Sequence, residues 1–229
     1  MTRDEESQFL VAGAGDMGVI LDAPQCESLL RLVDELQAGN AQFNLTAIRD
    51  RPGMLSKHVL DSLSLQPYLR GARMADVGTG AGFPGLPLAI INPKRRFSLI
   101  EATGKKARFA AQTAQRIGCS NVEIVHARAE THRPFELFDI VMARALSSLA
   151  DFVAYAGHLC APEGRLLAMK GKRPEEEISA LPKSFRVLAI HRLKLPGLDD
   201  ERHLVELSPV RARAALPTRP GSGSNRESI

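Results

Sequence analysis

The most informative segment of the sequence is Asp76-Val77-Gly78-Thr79-Gly80-Ala81-Gly82-Phe83-Pro84-Gly85. It follows a short apolar segment and precedes Leu86-Pro87-Leu88-Ala89-Ile90-Ile91, which has the composition of a helix. Glycine adopts positive φ at little cost and lets a ligand approach the bare backbone. A helix N-terminus offers unpaired N–H groups and a partial positive charge. A buried strand, a glycine-rich turn and a helix start, in that order, predict a nucleotide-binding element.

Strand and helix signals alternate after this point. The predicted strands are 73–77, 97–101, 122–126, 138–142 and 165–170, and the predicted helices are 83–91, 104–117, 147–159 and 175–181. Two further β segments, 185–195 and 203–207, have no helix between them. The alternation predicts a mainly parallel sheet covered on both faces. We therefore expect an α/β, Rossmann-like fold with a seven-stranded, mainly parallel sheet and an antiparallel C-terminal strand.

The chain is predicted to have four segments. Residues 1–20 have weak order signals and are expected to be flexible. Residues 21–70 are expected to form a helical extension packed on the catalytic domain, because Asp22 and Gln25 form a capping box and Pro52 can begin a second helix. Residues 71–209 are the α/β domain. Residues 210–229 combine arginines with Pro, Gly and Ser, and are expected to be a disordered basic tail.

Composition excludes several classes of protein. The 229 residues are 44% hydrophobic, enough for a substantial core. A net charge of +4 is compatible with a nucleic-acid partner but does not indicate one by itself. The three cysteines, Cys26, Cys119 and Cys160, are far apart, which predicts reduced thiols and neither a zinc site nor a disulfide framework. No signal-peptide pattern or long apolar run is present. We expect a monomeric, cytoplasmic protein without a metal or a membrane segment.

Glu101 identifies the ligand class at the glycine turn. It closes the second predicted strand, 21 positions after Gly80, where an acid can accept both ribose hydroxyls of an adenosine. NAD and S-adenosylmethionine both carry that ribose. Asp76 favours S-adenosylmethionine, because a carboxylate suits the donor's ammonium group and would repel a pyrophosphate. Ala127-Arg128-Ala129-Glu130, which can frame an adenine, and the late antiparallel strand pair also favour it. Residues 71–209 are thus predicted to be a class I methyltransferase domain.

Two motifs of other nucleic-acid methyltransferases are absent, which restricts the possible methyl acceptors. Methylation of amino groups on bases usually uses an Asn/Asp-Pro-Pro-aromatic tetrad after the fourth strand, where this chain has Ala143-Arg144-Ala145-Leu146. Carbon-5 methylation of pyrimidines needs a cysteine near the same strand ends, and the chain has none there. An acceptor that needs no covalent activation remains. Guanine N7 is such an acceptor, because its lone pair is already free and only alignment and exclusion of water are required.

The sequence resembles the RsmG family (older name GidB). The residues that carry the resemblance are Asn44-Leu45-Thr46-Ala47-Ile48, His58-Val59-Leu60-Asp61-Ser62-Leu63, the turn at 76–85, Glu101-Ala102-Thr103-Gly104-Lys105-Lys106, Ala143-Arg144-Ala145, Met169-Lys170-Gly171 and Glu201-Arg202-His203-Leu204. The resemblance covers roughly residues 24–208 and implies methylation of guanine N7 in bacterial 16S rRNA, close to the decoding site. The expected partner is 16S rRNA or the small ribosomal subunit.

The resemblance also implies roles for single residues. It implies donor contacts at Gly78, Phe83, Ala129, Glu130 and Arg144, to which the turn itself adds Asp76, Gly80 and Glu101. It implies further that a charged set, His58, Arg144, Lys170 and Arg202, faces the RNA or the transferring methyl group. Arg144 and Lys170 also lie at the ends of the fourth and fifth predicted strands, where open α/β sheets place their active sites.

Two other functions stay open. The literal GxGxxG at 80–85 allows an NAD-dependent oxidoreductase, although neither Tyr68 nor Tyr155 is followed by the lysine of a Tyr-x-x-x-Lys proton relay. A non-catalytic RNA-binding protein that senses the ligand is the second alternative. The basic run at 94–96 is more typical of a solvated turn than of an RNA contact.

Overall fold

A seven-stranded sheet forms the centre of the computed structural model, which describes residues 1–145, 147–196 and 201–210. The strands are β1 (Arg73–Val77), β2 (Arg96–Glu101), β3 (Val122–His126), β4 (Phe138–Ala143), β5 (Cys160–Lys170), β6 (Phe185–Arg192) and β7 (His203–Pro209). Their order across the sheet is β3-β2-β1-β4-β5-β7-β6. Strands β1 to β5 pair in parallel, and β7 runs antiparallel to both β5 and β6. The predicted fold class is confirmed.

Helices cover both faces of the sheet, and further helices precede its first strand. They are α1 (Arg3–Asp16), α2 (Ala23–Phe43), α3 (Arg51–Met54), α4 (Asp61–Leu63), α5 (Gly85–Ile91), α6 (Gly104–Arg116), α7 (Leu149–Ala156) and α8 (Glu175–Ser179). A π-helical turn, Leu55–Leu60, joins α3 to α4. The predicted helix at 83–91 begins two residues later, at Gly85, because Phe83 and Pro84 still belong to the turn.

The helical extension shares a core with the α/β domain. Buried leucines of α2, among them Leu29, Leu32 and Leu36, belong to one apolar cluster with Leu86 and Leu88 of α5. The helix α2 begins at the capping box that the sequence predicts, in which Asp22 and Gln25 bond each other's backbone amides. It ends where Asn44 adopts a left-handed conformation. The extension therefore packs against α5, the helix that follows the glycine turn.

The expectation that residues 1–20 are flexible is wrong for most of that segment. Helix α1 occupies Arg3–Asp16, and its Leu10 and Ala14 are fully buried. A Cβ on Gly13 would lie 2.6 Å from Leu60 Cδ1, so the small residue is what lets α1 approach the π-helical turn. Glu6 is buried and binds the Arg51 guanidinium, with Nη2 2.9 Å from Oε2. The helix lacks a regular apolar stripe, because its small residues do the packing.

The site described below lies where the strand order reverses. The strand β1 lies between β2 and β4. The connection that follows β1 leads to β2 on one side, and the connection that follows β4 leads to β5 on the other, which leaves a crevice between them at the carboxyl ends of β1 and β4. Open α/β sheets bind ligands at this position. The predicted tail is outside the described residues from 211 onward.

Candidate active site

The turn after β1 leaves its backbone accessible. Gly78 and Gly80 have φ values of +69° and +61°, and a Cβ on either would meet nothing within 4 Å. These are left-handed conformations that favour glycine. From below, Asp76 Oδ2 accepts hydrogen bonds from Thr79 Oγ1 at 2.6 Å and from the Gly85 amide at 2.8 Å. Hydrogen bonds to Asp76 therefore hold the turn on the side that faces the core, and the backbone of Gly78 and Gly80 is accessible on the opposite side.

Asp76 is a positioning residue for this turn. Its side chain is fully buried, and burial raises its pKa to about 6. It does not line the cavity above the turn. Its second oxygen, Oδ1, is buried and has no hydrogen-bond partner among the described residues. A buried acceptor without a donor fits a ligand that brings one, such as an ammonium group. The predicted contact with the ammonium group stays a prediction that rests on Oδ1.

Glu101 lies beside the turn because β2 pairs with β1 in parallel, with Ile100 opposite Val77. The Glu101 side chain is buried, with Oε2 accepting from the Gly80 amide at 2.9 Å and Oε1 from the Thr103 amide at 2.7 Å. A carboxylate has about four acceptor positions, so both oxygens can still accept from ribose hydroxyls. Glu101 thus couples the end of β2 to the glycine turn.

A cavity of about 460 Å³ opens above the turn. Five of the residues predicted to contact the donor line it: Gly78, Glu101, Ala129, Glu130 and Arg144. We call it the turn cavity. Its wall also contains Tyr155, which the sequence did not single out for this site, and burial raises the pKa of that phenol to about 12. Ala129 and Glu130 reach the wall on a 3-10 turn, Ala129–Thr131, that follows β3.

Gly80 and Phe83 are not on the wall of the turn cavity. Phe83 is buried beneath it, with its ring centroid 5.1 Å from that of His58 and 5.8 Å from Cζ of Arg144. The ring therefore supports two other predicted site residues. Donor contacts at Phe83 and Gly80 stay predictions.

A second cavity, of about 510 Å³, brings together His58, Arg144, Lys170 and Arg202. We call it the cationic cavity. These are the four residues predicted to act on the RNA, and they come from four separate parts of the chain. Its remaining wall consists of Ile48, Lys57, Asp61, Ala145, Met169, Gly171, Leu193 and His203. The helical extension contributes one side and the ends of β4, β5 and β7 the other.

Arg144 belongs to both cavities, as does Ala145 beside it. Arg144 follows the last residue of β4, and its Nη1 donates to the Lys57 carbonyl at 3.2 Å and to Asp61 Oδ2 at 3.4 Å. Ala145 has a φ of +56°, a conformation that is uncommon outside glycine. Strain of this kind often occurs at functional sites. The shared wall places a ligand in one cavity next to a ligand in the other.

Asp61 was not selected from the sequence, although the structure places it at the centre of the cationic cavity. Its carboxylate is buried, and Oδ1 lies 3.4 Å from Arg202 Nε while Oδ2 faces Arg144. Burial raises the pKa of Asp61, and the two guanidinium groups act against that rise. Its spacing of three residues from His58 on a helix was the available signal, since such residues share a face.

His58 is neutral in this site. Burial, together with the charge of Arg144, lowers its pKa to about 3. Its Nε2 lies 2.9 Å from Thr46 Oγ1, whereas Nδ1 is buried and has no hydrogen-bond partner among the described residues. The lowered pKa favours an uncharged imidazole, and the role of His58 toward the RNA or the methyl group stays a prediction. A neutral imidazole can still accept or donate one hydrogen bond.

Lys170 and Arg202 meet because β5 and β7 are antiparallel. Lys170 lies opposite His203 in the ladder, which brings Arg202 to the same end of the sheet. Lys170 Nζ is 2.7 Å from Glu177 Oε1 of α8. The wall of the cationic cavity thus carries Lys57, Arg144, Lys170 and Arg202 against one carboxylate, Asp61.

The cysteines lie away from both cavities. Cys160 is the first residue of β5, at the opposite end of the strand from Lys170, and burial raises its pKa to about 12. Burial also raises the pKa of Cys119, to about 11. Neither thiol is a ready nucleophile. Within residues 1–145, 147–196 and 201–210, no cluster of possible metal ligands occurs and no helix is long and apolar enough to span a membrane.

Comparison with known proteins gives one consistent family. The profile of the family described as rRNA small subunit methyltransferase G (GidB) matches residues 25–205. The ribosomal RNA small subunit methyltransferase G of Nitrosococcus oceani is 48% identical over 196 residues, covering 86% of this chain and 92% of that protein. Its counterpart in Stutzerimonas stutzeri is 44% identical over 209 residues, covering 90% and 97%.

Two solved structures with a similar fold are methyltransferases. A SAM-dependent methyltransferase from Aquifex aeolicus aligns with a TM-score of 0.53 at 19% identity, covering 68% of this chain and 93% of that one. The glycopeptide N-methyltransferase MtfA, complexed with (S)-adenosyl-L-homocysteine, aligns with a TM-score of 0.58 at 10% identity, covering 67% and 87%. At these identities the likeness concerns the fold alone.

Proposed function

The chain belongs to the rRNA small subunit methyltransferase G (GidB) family, and from this premise we propose that it methylates N7 of a guanosine in 16S rRNA near the decoding region. Membership establishes the coarser activity, S-adenosylmethionine-dependent methylation of small-subunit rRNA. The position on the base, the location in the rRNA and the roles of single residues belong to the proposal. The observation that carries it is the pair of cavities that share Arg144.

The turn cavity suits S-adenosylmethionine. Glu101 would accept the ribose hydroxyls, and the backbone of Gly78 would approach the methionine portion, because no side chain covers it. Asp76 Oδ1 would accept from the ammonium group. When bound, S-adenosylmethionine supplies a methyl carbon on a positively charged sulfur, which a nucleophile can take directly. The protein therefore has to orient that carbon toward Arg144 and the cationic cavity.

The cationic cavity suits a base that needs no proton removed. Within it, His58 is neutral and half of its hydrogen-bonding capacity is used by Thr46, while the carboxylate of Asp61 faces two arginines. Guanine N7 has a free lone pair, so alignment and exclusion of water supply the rate enhancement. Arg144 and Lys170 would donate to O6 and to phosphates, as arginine commonly does at guanine.

Charge develops on the base as the methyl group transfers, because N7-methylguanine is a cation. Asp61 would offset that charge, and its burial strengthens the effect because the local dielectric is low. The target base would leave its loop to enter this cavity, as bases do in enzymes that modify them.

Two other reactions, carbon-5 methylation and NAD-dependent oxidation or reduction, fit the site less well. Carbon-5 methylation needs a thiolate, and Cys160 lies at the far end of β5 with a raised pKa. An NAD-dependent oxidoreductase would need a proton relay, and Tyr155 in the turn cavity has a pKa raised to about 12. Family membership argues against both. The methyl-transfer assay distinguishes this proposal from the third alternative, a non-catalytic RNA-binding protein that senses the ligand.

The decisive experiment is transfer of a tritiated methyl group to small subunits and to naked 16S rRNA from a strain that lacks this protein. The expected result is one methyl group per rRNA, mapped to N7 of a guanosine by mass spectrometry and by cleavage after borohydride and aniline treatment. Label on an exocyclic amine or on carbon 5 would overturn the N7 assignment. Binding of rRNA without transfer would favour the non-catalytic alternative.

A further inference from the structure

A groove of about 790 Å³ lies at the amino ends of the parallel strands. Its wall includes the first residues of four strands, namely Arg73, Arg96, Val122 and Phe138. We call it the basal groove. Because a strand rises about 3.3 Å per residue, β1 and β2 separate this groove from the glycine turn by roughly 15–20 Å. It is thus a different surface from the two cavities of the active site.

The basal groove is positively charged. Five cationic side chains line it, Arg73, Lys94, Arg95, Arg96 and Arg133, against two carboxylates, Glu123 and Glu136. Arg73 is paired with Glu136 at 2.6 Å, and Arg133 donates to nearby carbonyls. In the described part of the chain, the run Lys94–Arg96 makes no ion pair. The positive charge of that run is therefore available to an anionic partner.

Arg95 indicates where an acceptor is missing. Its Nη2 reaches the Leu69 carbonyl at 3.4 Å, whereas Nη1 is buried and has no hydrogen-bond partner among the described residues. Buried donors are nearly always paired in folded proteins, so this nitrogen needs an acceptor such as a water molecule, an ion or a ligand. Phosphate oxygens match a guanidinium fork well.

Phe135 adds a second signal at the same groove. Its side chain is completely exposed, with 104% relative accessibility, although phenylalanine usually buries its ring. It lies two residues from Arg133 on the segment that follows the 3-10 turn. Aromatic rings beside cations are the elements with which proteins bind single-stranded nucleic acid, because bases stack on the ring while cations contact the backbone.

We propose that the basal groove is a second RNA-binding surface, which holds a segment of the rRNA remote from the methylated base. Phosphates contact Lys94, Arg95 and Arg96, and an unstacked base lies on Phe135. The identity of the RNA rests on the proposed function. RNA fits better than an acidic protein, because carboxylates would satisfy the cations and leave the Phe135 ring in water.

The test compares two variants of the groove with a control variant on another surface. Lys94→Glu/Arg96→Glu reverses two charges of the groove, Phe135→Ala removes the ring, and Lys183→Glu reverses an exposed cation before β6, at the other lateral edge of the sheet. Each full-length protein is assayed for methyl transfer to small subunits and to naked 16S rRNA, for S-adenosylmethionine binding by calorimetry, and for folding by thermal melting.

The double charge reversal should raise the KM for RNA at least tenfold, with kcat and donor affinity unchanged. Removing two phosphate contacts should also lower the slope of log affinity against log salt by about 1.4–1.8. Phe135→Ala should weaken RNA binding about fivefold or more at an unchanged salt slope, because stacking is sequence-tolerant and uncharged. Lys183→Glu should behave as wild type.

Three results would overturn the proposal. An unchanged KM in both variants would show that the groove does not bind RNA. A loss seen with small subunits and not with naked rRNA would identify a ribosomal protein as the partner. An equal loss in Lys183→Glu would assign the effect to net charge. If wild type transfers no methyl group at all, the proposed function fails, and direct binding of rRNA by the same variants still tests the groove.

Discussion

Arg144 Nη1 lies 3.4 Å from Asp61 Oδ2, which links the end of β4 to the N-terminal helical extension. The same carboxylate faces Arg202 at 3.4 Å, from the segment that enters β7. One buried acid thus orients two cations that are distant in sequence. The extension therefore forms part of the wall of the cationic cavity and does more than cover the core.

Asp61→Asn should reduce methyl transfer while sparing donor binding. The neutral amide loses the charge that orients both arginines, and hydrogen bonds to charged groups contribute about 1.5–3 kcal/mol, so kcat/KM for RNA should fall roughly 10- to 100-fold. Calorimetry should give a nearly unchanged affinity for S-adenosylmethionine. Glu35→Gln, at a surface ion pair with Arg116, is the control and should keep full activity. Full activity of Asp61→Asn would show that the arginines need no such anchor.

Glu101→Ala should weaken donor binding more than RNA binding. The substitution removes the acceptor for the ribose and releases the Gly80 amide at the same time, so we expect roughly a 10- to 100-fold loss of S-adenosylmethionine affinity. Glu101→Gln keeps an acceptor oxygen and should lose less. Equal affinities of wild type and Glu101→Ala in calorimetry would reject the ribose assignment.

Leu10→Ala should destabilise the fold, whereas Val11→Ala should not. Leu10 is fully buried, and truncation of a buried leucine costs about 2–5 kcal/mol. Val11 is the next residue of the same helix and is 45% exposed, so its truncation should change the free energy of unfolding by less than about 0.5 kcal/mol. Urea denaturation measures both. Similar midpoints for the two variants would contradict the packing of α1.

Acidification should destabilise the protein through His58. Its pKa is about 3 in the fold and 6.5 normally, so between these values the unfolded chain binds a proton that the folded chain excludes. The stability is complete above pH 6.5 and falls as the pH decreases. Asp76 acts in the opposite direction, because its pKa is raised to about 6 and its protonated form favours the fold.

The comparison that isolates His58 is the difference in unfolding free energy between wild type and His58→Gln. That difference should shift against wild type by about 1–2 kcal/mol from pH 7 to pH 5, since one pKa unit corresponds to 1.4 kcal/mol. A constant difference in His58→Gln would mean that the imidazole is accessible to protons in the fold.

Several parts of the site follow from sequence alone, because they depend on neighbours along the chain. The glycine turn, the capping box at Asp22 and the spacing to Glu101 are local signals, and the strand and helix alternation restricts the sheet to a few topologies. The prediction of the methyl acceptor also depended on a short segment, 143–146, which lacks the tetrad of amino-group methyltransferases. Helix α1 was missed because its packing uses Gly13 and Ala14, which leave no apolar stripe.

The nucleotide-binding turn, the order of elements and the residue types available for catalysis can all be predicted from the sequence. Which of these residues meet depends on how the chain folds. Asp61 acquires its role because the π-helical turn brings it against Arg144 and Arg202. Lys94–Arg96 form part of a groove only because β1, β2, β3 and β4 begin at the same edge as Phe135. The physical reason is that charge, burial and pKa depend on distances in space, and strand pairing sets those distances.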